Sequence, residues 1–202
     1  MTNQKISLVD IILNDKTRKN LVEKYNIKDY RFTQFLQWIF IHNIFDPNQM
    51  SNLDLSSKKF FSDYIELEPF KIISTFKEEE TDTTKILLET YDNHLIEIVI
   101  LKDKDRNTLC LSSQIGCPMG CKFCATGKVG FSRNLSDNEM LWEFLLSLKL
   151  FKHIDNIVIM GMGEPFLNFS NVEKFIKSLV NNKIKPFSGR RITISTSGIK
   201  NF

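Results

Sequence analysis

The sequence predicts an α/β fold: a small helical segment, then a β-hairpin, then alternating strands and helices that build a parallel sheet, either open or curling into a partial parallel (β/α) barrel. Three observations carry this. Apolar residues recur at helical spacing through the first third of the chain. After Glu68-Pro69 the period drops to two. From Thr108 onward the order runs strand, loop, helix, strand, helix, strand. The boundaries that follow are 1–68 for the helical domain, 69–107 for the hairpin region and 108–202 for the α/β core.

Taken in order, Ser7 to Leu13 presents one apolar stripe, and Phe32, Phe35, Leu36, Ile39 and Phe40 recur at helical spacing in a helix expected over Arg31 to Phe45. Asp46-Pro47-Asn48 should stop it, because proline lacks the donor that the next turn needs. A short helix follows over Ser56 to Tyr64. The aromatic residues of this third read as core packing rather than base-stacking side chains. A strand is expected over Phe70 to Lys77, then an acidic turn, then a hairpin of Lys85 to Tyr91 and His94 to Leu101 around Asp92-Asn93. On its second strand Ile96, Ile98 and Ile100 share one face and Leu95, Glu97, Val99 and Leu101 the other. Glu97 is thus a carboxylate among apolar neighbours, either solvated at an edge or buried with a shifted pKa, and pattern alone favours the edge. Leu109 to Ser113 reads as a strand. Ser136 caps a helix to His153, with Glu139 three residues on. Asp155 to Met160 is a strand, Ser170 to Val180 a helix, and Arg191 to Thr196 a third strand. Ending there leaves Ile192 and Ile194 on a raw sheet edge, so the expectation is a fragment, or a chain whose remainder is supplied by something else.

Composition excludes some classes. With 42% hydrophobic and 25% charged residues the chain is neither disordered nor membrane-spanning. Runs such as Ile98 to Leu101 fall short of a bilayer, and no apolar leader opens the chain, so it reads as cytoplasmic. The net charge of +3 neither demands nor forbids nucleic acid. Lys174, Lys177, Lys183, Lys185, Arg190 and Arg191 accumulate near the C-terminal end, where a solvated helix face is the simpler reading.

The cysteines are the decisive feature. Cys110, Cys117, Cys121 and Cys124 are the only four, and they fall in one short stretch. A disulfide framework spreads its cysteines to close loops, so clustering in a cytoplasmic protein argues for metal or redox chemistry. Cys117, Cys121 and Cys124 stand in the order C-x-x-x-C-x-x-C on a glycine-bearing loop. Such a trio can ligate three irons of a 4Fe–4S cube and leave the fourth open to a substrate. Zinc is the alternative; it needs a fourth ligand, which His94 or Cys110 could supply.

The spacing resembles the signature of the radical S-adenosylmethionine superfamily. Four longer stretches, Cys110 to Cys117, Gly130 to Leu135, Gly161 to Asn168 and Arg190 to Gly198, resemble in order and spacing the RlmN family of dual-specificity RNA methyltransferases. The likeness covers most of residues 85 to 200, and Tyr30 to Phe35 is similar more loosely to that family's accessory RNA-binding domain. The resemblance implies an incomplete (β/α) barrel of the radical SAM type. It also implies two cofactors, a 4Fe–4S cluster on Cys117, Cys121 and Cys124 and S-adenosyl-L-methionine contacted by Gly163, Glu164 and Ser195. The implied reaction methylates carbon 2 of adenine in 23S rRNA and tRNA, through a cysteine near the family's C-terminus, beyond Phe202, that is first methylated and then bonded to the base. That carbon is electron-poor, which is why a radical route is needed. Glu97 matches the proton acceptor, and Cys110 the second catalytic cysteine, which forms a disulfide with its partner to release the RNA. Further implications are an electron donor such as flavodoxin, a monomeric full-length protein and no membrane partner. Residues 1–202 alone are expected to assemble the cluster without completing methylation. The nearest rival is a Cfr-like enzyme acting on carbon 8, which replaces the proline of Gly163-Glu164-Pro165. A rival from another class is a non-catalytic zinc-bearing RNA-binding module.

Overall fold

The structure, a computed structural model, describes residues 5–199 and divides into two compact units, Met1–Glu68 with Lys177–Phe187, and Pro69–Ile176 with Ser188–Phe202. The first unit is helical. Its helices are α1 (Leu8–Leu13), α2 (Asp15–Tyr25), α3 (Asp29–Phe40) and α4 (Leu55–Tyr64). The expected stripe of α3 is buried throughout, and Phe35 stacks on Phe61 of α4 with centroids 4.1 Å apart. The aromatic residues Phe32, Phe35, Phe60 and Phe61 form core. Two expectations fail here. α3 stops at Phe40, not Phe45: Asn43 takes a left-handed backbone (φ 53°), and the Ile44 N–H folds back to the Trp38 carbonyl. Asp46 and Pro47 then open a short 3₁₀ turn instead of ending a helix. Helix α2 carries no readable stripe, since Leu21 is its one buried residue; the Asn14 carboxamide starts it by accepting from the Lys16 and Thr17 N–H groups.

The second unit is built on a sheet. Its strands are β1 (Phe70–Glu78), β2 (Thr83–Thr90), β3 (Leu95–Asp103), β4 (Arg106–Leu111), β5 (Gln114–Gly116), β6 (Phe131–Asn134), β7 (Asn156–Ile159) and β8 (Ile192–Ile194). Six of them form one sheet in the order β1-β2-β3-β4-β7-β8, and β5 pairs with β6 apart from it. Three helices follow in this part of the chain: α5 (Ala125–Val129), α6 (Asp137–Phe151) and α7 (Phe169–Val180), the last of which runs from the second unit into the Lys177–Phe187 segment of the first. The strands β4, β7 and β8 are parallel, as the alternating order requires. The hairpin strands do not stand apart from them. β3 pairs antiparallel with β4, Val99 opposite Cys110, so the sheet is mixed. The cause is local: Lys104 (φ 55°) and Asp105 reverse the chain between β3 and β4, and so short a connection can join only antiparallel neighbours.

Alternation assigns the two faces. Ile86, Leu88, Ile96, Ile98, Ile100, Leu109, Leu111, Ile157 and Ile159 are all buried, with α6 packed against β4 on that side. Helix α6 begins as expected, with a reciprocal capping box between Ser136 and Glu139, and buries Met140, Leu141, Trp142 and Leu145 completely. The opposite face, carrying Glu97, Val99, Cys110 and Val158, stays half open.

Candidate functional site

The residues given catalytic, cluster or cofactor roles in the sequence all lie in the second unit: Glu97 and Cys110 on the open face of the sheet, Cys117, Cys121 and Cys124 between β5 and β6, and Gly163, Glu164 and Ser195 after the parallel strands β7 and β8. Glu97 lies on β3, which β2 and β4 flank, so it is not on an edge strand. Its side chain is half-exposed, with Oε2 3.3 Å from Lys85 Nζ. Since Val99 faces Cys110, Glu97 and Cys110 are diagonal neighbours on one face, and such pairs lie ~7–8 Å apart. Burial pushes the Cys110 thiol up, Glu143 adds to the effect, and a hydrogen bond to the Met160 backbone opposes it. The thiol is therefore held protonated rather than activated. All four cysteines are free thiols.

The three clustered cysteines occupy the excursion between β5 and β6. Its neck is closed by the Cys117 N–H donating to the Gly130 carbonyl (2.8 Å). Gly116, at φ +73°, lets the two strands cross, because a Cβ there would collide with the Gly130 oxygen. Beyond the neck the chain is open, with Phe123 exposed to 92%. Cys124 precedes α5, where hydrogen bonds from the Gly127 and Thr126 backbone hold its thiol below the usual range. Among the described residues no three His, Cys, Asp or Glu side chains are gathered closely enough to hold a metal ion. The donor set nonetheless suits a soft iron centre: three sulfurs on one short loop, with the Cys124 thiol easier to ionise than an ordinary cysteine.

The base of that loop is bolted to the turn after β7. The Ser113 and Gln114 N–H groups both donate to the Met162 carbonyl (2.8 and 3.1 Å). The Gln114 side chain accepts from the Glu164 N–H (2.8 Å) and donates to Asn134 (2.8 Å). The Asn168 amide donates to the Ser113 and Leu135 carbonyls, each at 2.7 Å. Gly163, at φ +107°, is needed because a Cβ would stand 2.6 Å from the Gln114 Cβ. Ser195 follows β8 and is exposed, its N–H 3.4 Å from the Ile159 carbonyl.

The Glu164 carboxylate is buried. Its Oε1 accepts from Phe166 N–H (3.0 Å) and Thr196 O–H (2.7 Å), and its Oε2 from Ser197 N–H and O–H (2.8 Å each). Burial alone would raise its pKa, but these bonds outweigh that and hold the carboxyl below its ordinary value.

Two clusters were not assigned roles from sequence. Arg133 on β6 forks between Asp92, in the β2–β3 turn, and Glu139, at the start of α6, with four contacts of 2.7–2.9 Å. It lies within a stretch already singled out, but nothing in the spacing revealed its partners. Glu143 is fully buried on α6; Oε2 accepts from the Ser112 N–H (2.9 Å), and Oε1 has no hydrogen-bond partner among the described residues. Burial raises its pKa well above the ordinary glutamate value. A carboxylate on the apolar phase of α6, between Trp142 and Phe144, was the signal that could have exposed it.

Beside the loop neck lies a cavity of about 440 Å³ whose lining includes His94, Leu95, Ile115, Phe131 and Met162. A second of about 420 Å³ sits in the helical unit among Asp15, Arg18, Lys19, Glu23, Asp29 and Lys183. Its charges pair with one another, Arg18 to Asp29 at 2.8 Å and Lys183 to Asp15 at 3.4 Å, so they converge on no ligand. The basic run near the C-terminal end is likewise partly spent, with Lys174 near Asp137 and Arg191 near Asp155. No helix among the described residues is long and apolar enough to cross a membrane.

A family model described as the radical SAM superfamily matches residues 111–201, the stretch that holds the loop, the bolted turn and β8. Residues 111–201 thus match a radical SAM domain. Within that superfamily its relatives are of the RlmN type. It is 40% identical over 188 residues to a Carboxydothermus hydrogenoformans protein named "Probable dual-specificity RNA methyltransferase RlmN", covering 93% of this chain and 55% of that one. A protein of the same name from Petrotoga mobilis is 39% identical, with 89% and 52% covered. The crystal structure of a radical SAM methyltransferase from Sphaerobacter thermophilus superposes with a TM-score of 0.89 at 32% identity, covering 96% of this chain and 57% of that one. The chain thus spans about half the length of the curated relatives it matches.

Proposed function

We propose that this radical SAM chain carries the cofactor-binding half of an enzyme that methylates carbon 2 of adenine in 23S rRNA and tRNA. The observation that carries the reading is the cysteine loop, bolted through Ser113, Gln114 and Asn168 to the ends of the parallel strands, where ligands settle in α/β sheets. Cys117, Cys121 and Cys124 would hold a 4Fe–4S cluster, leaving one iron without a protein ligand. When bound, the cluster supplies the electron that cleaves S-adenosyl-L-methionine reductively. The turn at Gly163 and Glu164, with Ser195, supports the methionine end of that cofactor. The adjoining cavity, about 440 Å³ with Ile115, Phe131 and Met162 in its wall, has the size and apolar character of a small-molecule site.

On the same face Glu97 takes the proton that carbon 2 loses, steered by the neighbouring Lys85 ammonium. Cys110 supplies the thiolate that attacks the sulfur of the methyl-carrying cysteine, outside residues 1–202, forming a disulfide as the sulfur–methylene bond breaks and its electron pair leaves with the methylated base. The Cys110 thiol must first give up a proton against the effect of burial. The names of the relatives support RNA as substrate; flavodoxin or a similar donor feeds the cluster, and the full-length protein acts as a cytoplasmic monomer. Residues 1–202 assemble the cluster site without completing methylation.

The test is oxygen-free reconstitution with iron and sulfide. A brown protein with a cubane Mössbauer signature is expected; a colourless protein holding one zinc would overturn the reading. Mass spectrometry of RNA modified by the full-length enzyme identifies the carbon, and methylation at carbon 8 would replace the carbon 2 assignment.

A further inference from the structure

Glu164 has no carboxylate acceptor site to spare. Its N–H donates to the Gln114 Oε1 (2.8 Å) and its carbonyl accepts from the Leu167 N–H (3.0 Å). A carboxylate offers about four acceptor sites, and four donors of this chain occupy them: Phe166 N–H, Thr196 O–H, Ser197 N–H and Ser197 O–H. The residue is 3% exposed. A ligand ammonium that reached this carboxylate would have to evict one of those donors in a site water hardly enters.

What the bonds do is equally specific. Strand β8 is three residues long and pairs with β7 alone, so little else fixes the turn that follows it. Thr196 passes the restraint on, because its hydroxyl oxygen also accepts from the Gly198 N–H (3.1 Å), where the chain turns at φ +82°. Both carboxylate oxygens therefore tie residues 196–198 to the turn after β7, and Ser195 is carried with them.

We infer that Glu164 is a positioning residue: its carboxylate latches the 195–198 turn onto the turn after β7 and sets the place of Ser195, without that carboxylate touching the cofactor. The inference rests on the proposed S-adenosylmethionine site, and it assigns Glu164 a different part there from direct contact with the ammonium.

The experiment uses the full-length protein and three variants, Glu164→Gln, Thr196→Val and Ser197→Ala. Amide hydrogen exchange on the apo protein comes first. Glu164→Gln turns one acceptor oxygen into a donor facing the Ser197 or Thr196 donors, so exchange at Ser197 and Gly198 is expected to rise at least tenfold, by a larger factor than at the amides of β2 and β3. Unchanged exchange at both amides overturns the latch. Binding of S-adenosylmethionine to the cluster-loaded protein is then measured by calorimetry. Each variant is expected to bind about tenfold more weakly, and Glu164→Gln combined with Thr196→Val no more weakly than the worse single variant, since both break one device. Weak binding by Glu164→Gln alone, with Thr196→Val and Ser197→Ala binding like the parent, overturns the inference in favour of direct contact. A parent that binds no S-adenosylmethionine sinks the proposed function instead, and the exchange arm still decides the latch.

Discussion

Replacing Arg133 with methionine keeps most of the apolar stem and removes the guanidinium, which joins three separate elements and lies over the Tyr91 ring. Two carboxylates lose their partner. Glu139 is the costly one, its side chain only 2% exposed, whereas Asp92 is 29% exposed and reaches water. Breaking a buried ion pair by removing one member costs about 3–5 kcal/mol, while an exposed pair is worth about 0–1 kcal/mol. The Glu139 arm sits at the lower end of the first range, because Ser136 still donates its N–H to Oε2 at 2.8 Å. The sum is about 3 kcal/mol, a large share of the ~5–15 kcal/mol that stabilises a typical domain. For a protein of this size that corresponds to a fall of roughly 6–12 °C in melting temperature. Urea unfolding followed by circular dichroism checks it, with the slope compared between variants. The sign can be tested twice. Adding Glu139→Gln to Arg133→Met removes the orphaned charge, so the double variant should be more stable than the single one. Arg133 hydrogen bonds also hold the Asp92 carboxyl well below its ordinary value, so the stability it contributes is present above pH 3.8 and fades as the pH falls further. The gap between parent and Arg133→Met should therefore narrow in acid. A loss under about 1 kcal/mol, or no recovery with Glu139→Gln, would refute the buried-pair reasoning.

Glu143 gives the opposite pH sign: its pKa is raised in the fold, so its contribution is complete below the ordinary glutamate value of 4.5 and is lost as pH rises through the raised value. Glu143→Gln should thus gain on the parent as pH climbs from ~5 to ~9 in urea melts, and a constant difference across that range would rule out a neutral buried carboxyl. Gly163→Ala places a Cβ against Gln114 at a backbone angle that alanine resists, and should cost about 2 kcal/mol or more by the same melts. A melting temperature within a degree of the parent's would show that the turn gives way.

Periodicity and caps made most elements legible. α4, the β2–β3 hairpin, α6 with its Ser136 box, β7, α7 and β8 all lie within a few residues of where the pattern put them. What escaped has physical causes. Helix α2 buries only Leu21, so no stripe marks it. The end of α3 depends on Asn43 accepting a left-handed backbone, which no periodicity records. The mixed sheet follows from two turn residues, Lys104 and Asp105, whose brevity went unread. At the site, the C-x-x-x-C-x-x-C spacing is local and readable. The bonds that hold its frame are not, because they join residues far apart in the chain: Gln114 to Glu164 across 50 positions, Asn168 to Ser113 across 55, and Ser197 to Glu164 across 33.

Ser112 shows why the face of the sheet and the chemistry on it cannot be separated. Side chains alternate, so the burial of Leu109 and Leu111 beneath α6 commits Cys110 to the open face beside Glu97, and a slip of one residue would exchange them. Three bonds made by one residue oppose that slip. The Ser112 N–H donates to buried Glu143 at 2.9 Å, its hydroxyl donates to the Glu97 carbonyl at 2.9 Å, and its oxygen accepts from the Met162 N–H at 3.0 Å. Helix, hairpin and turn are thereby referred to a single point two residues beyond the thiol. The same arrangement sets the charge near Cys110. A charge on Glu143 makes the Cys110 thiolate harder to form, a smaller effect than the thiol's own desolvation, and the burial that raises the Glu143 pKa favours its neutral form, which still accepts the Ser112 bond. A buried carboxyl that looks like a defect of the core thus holds the register of the reactive face while adding least to the cost of ionising its cysteine.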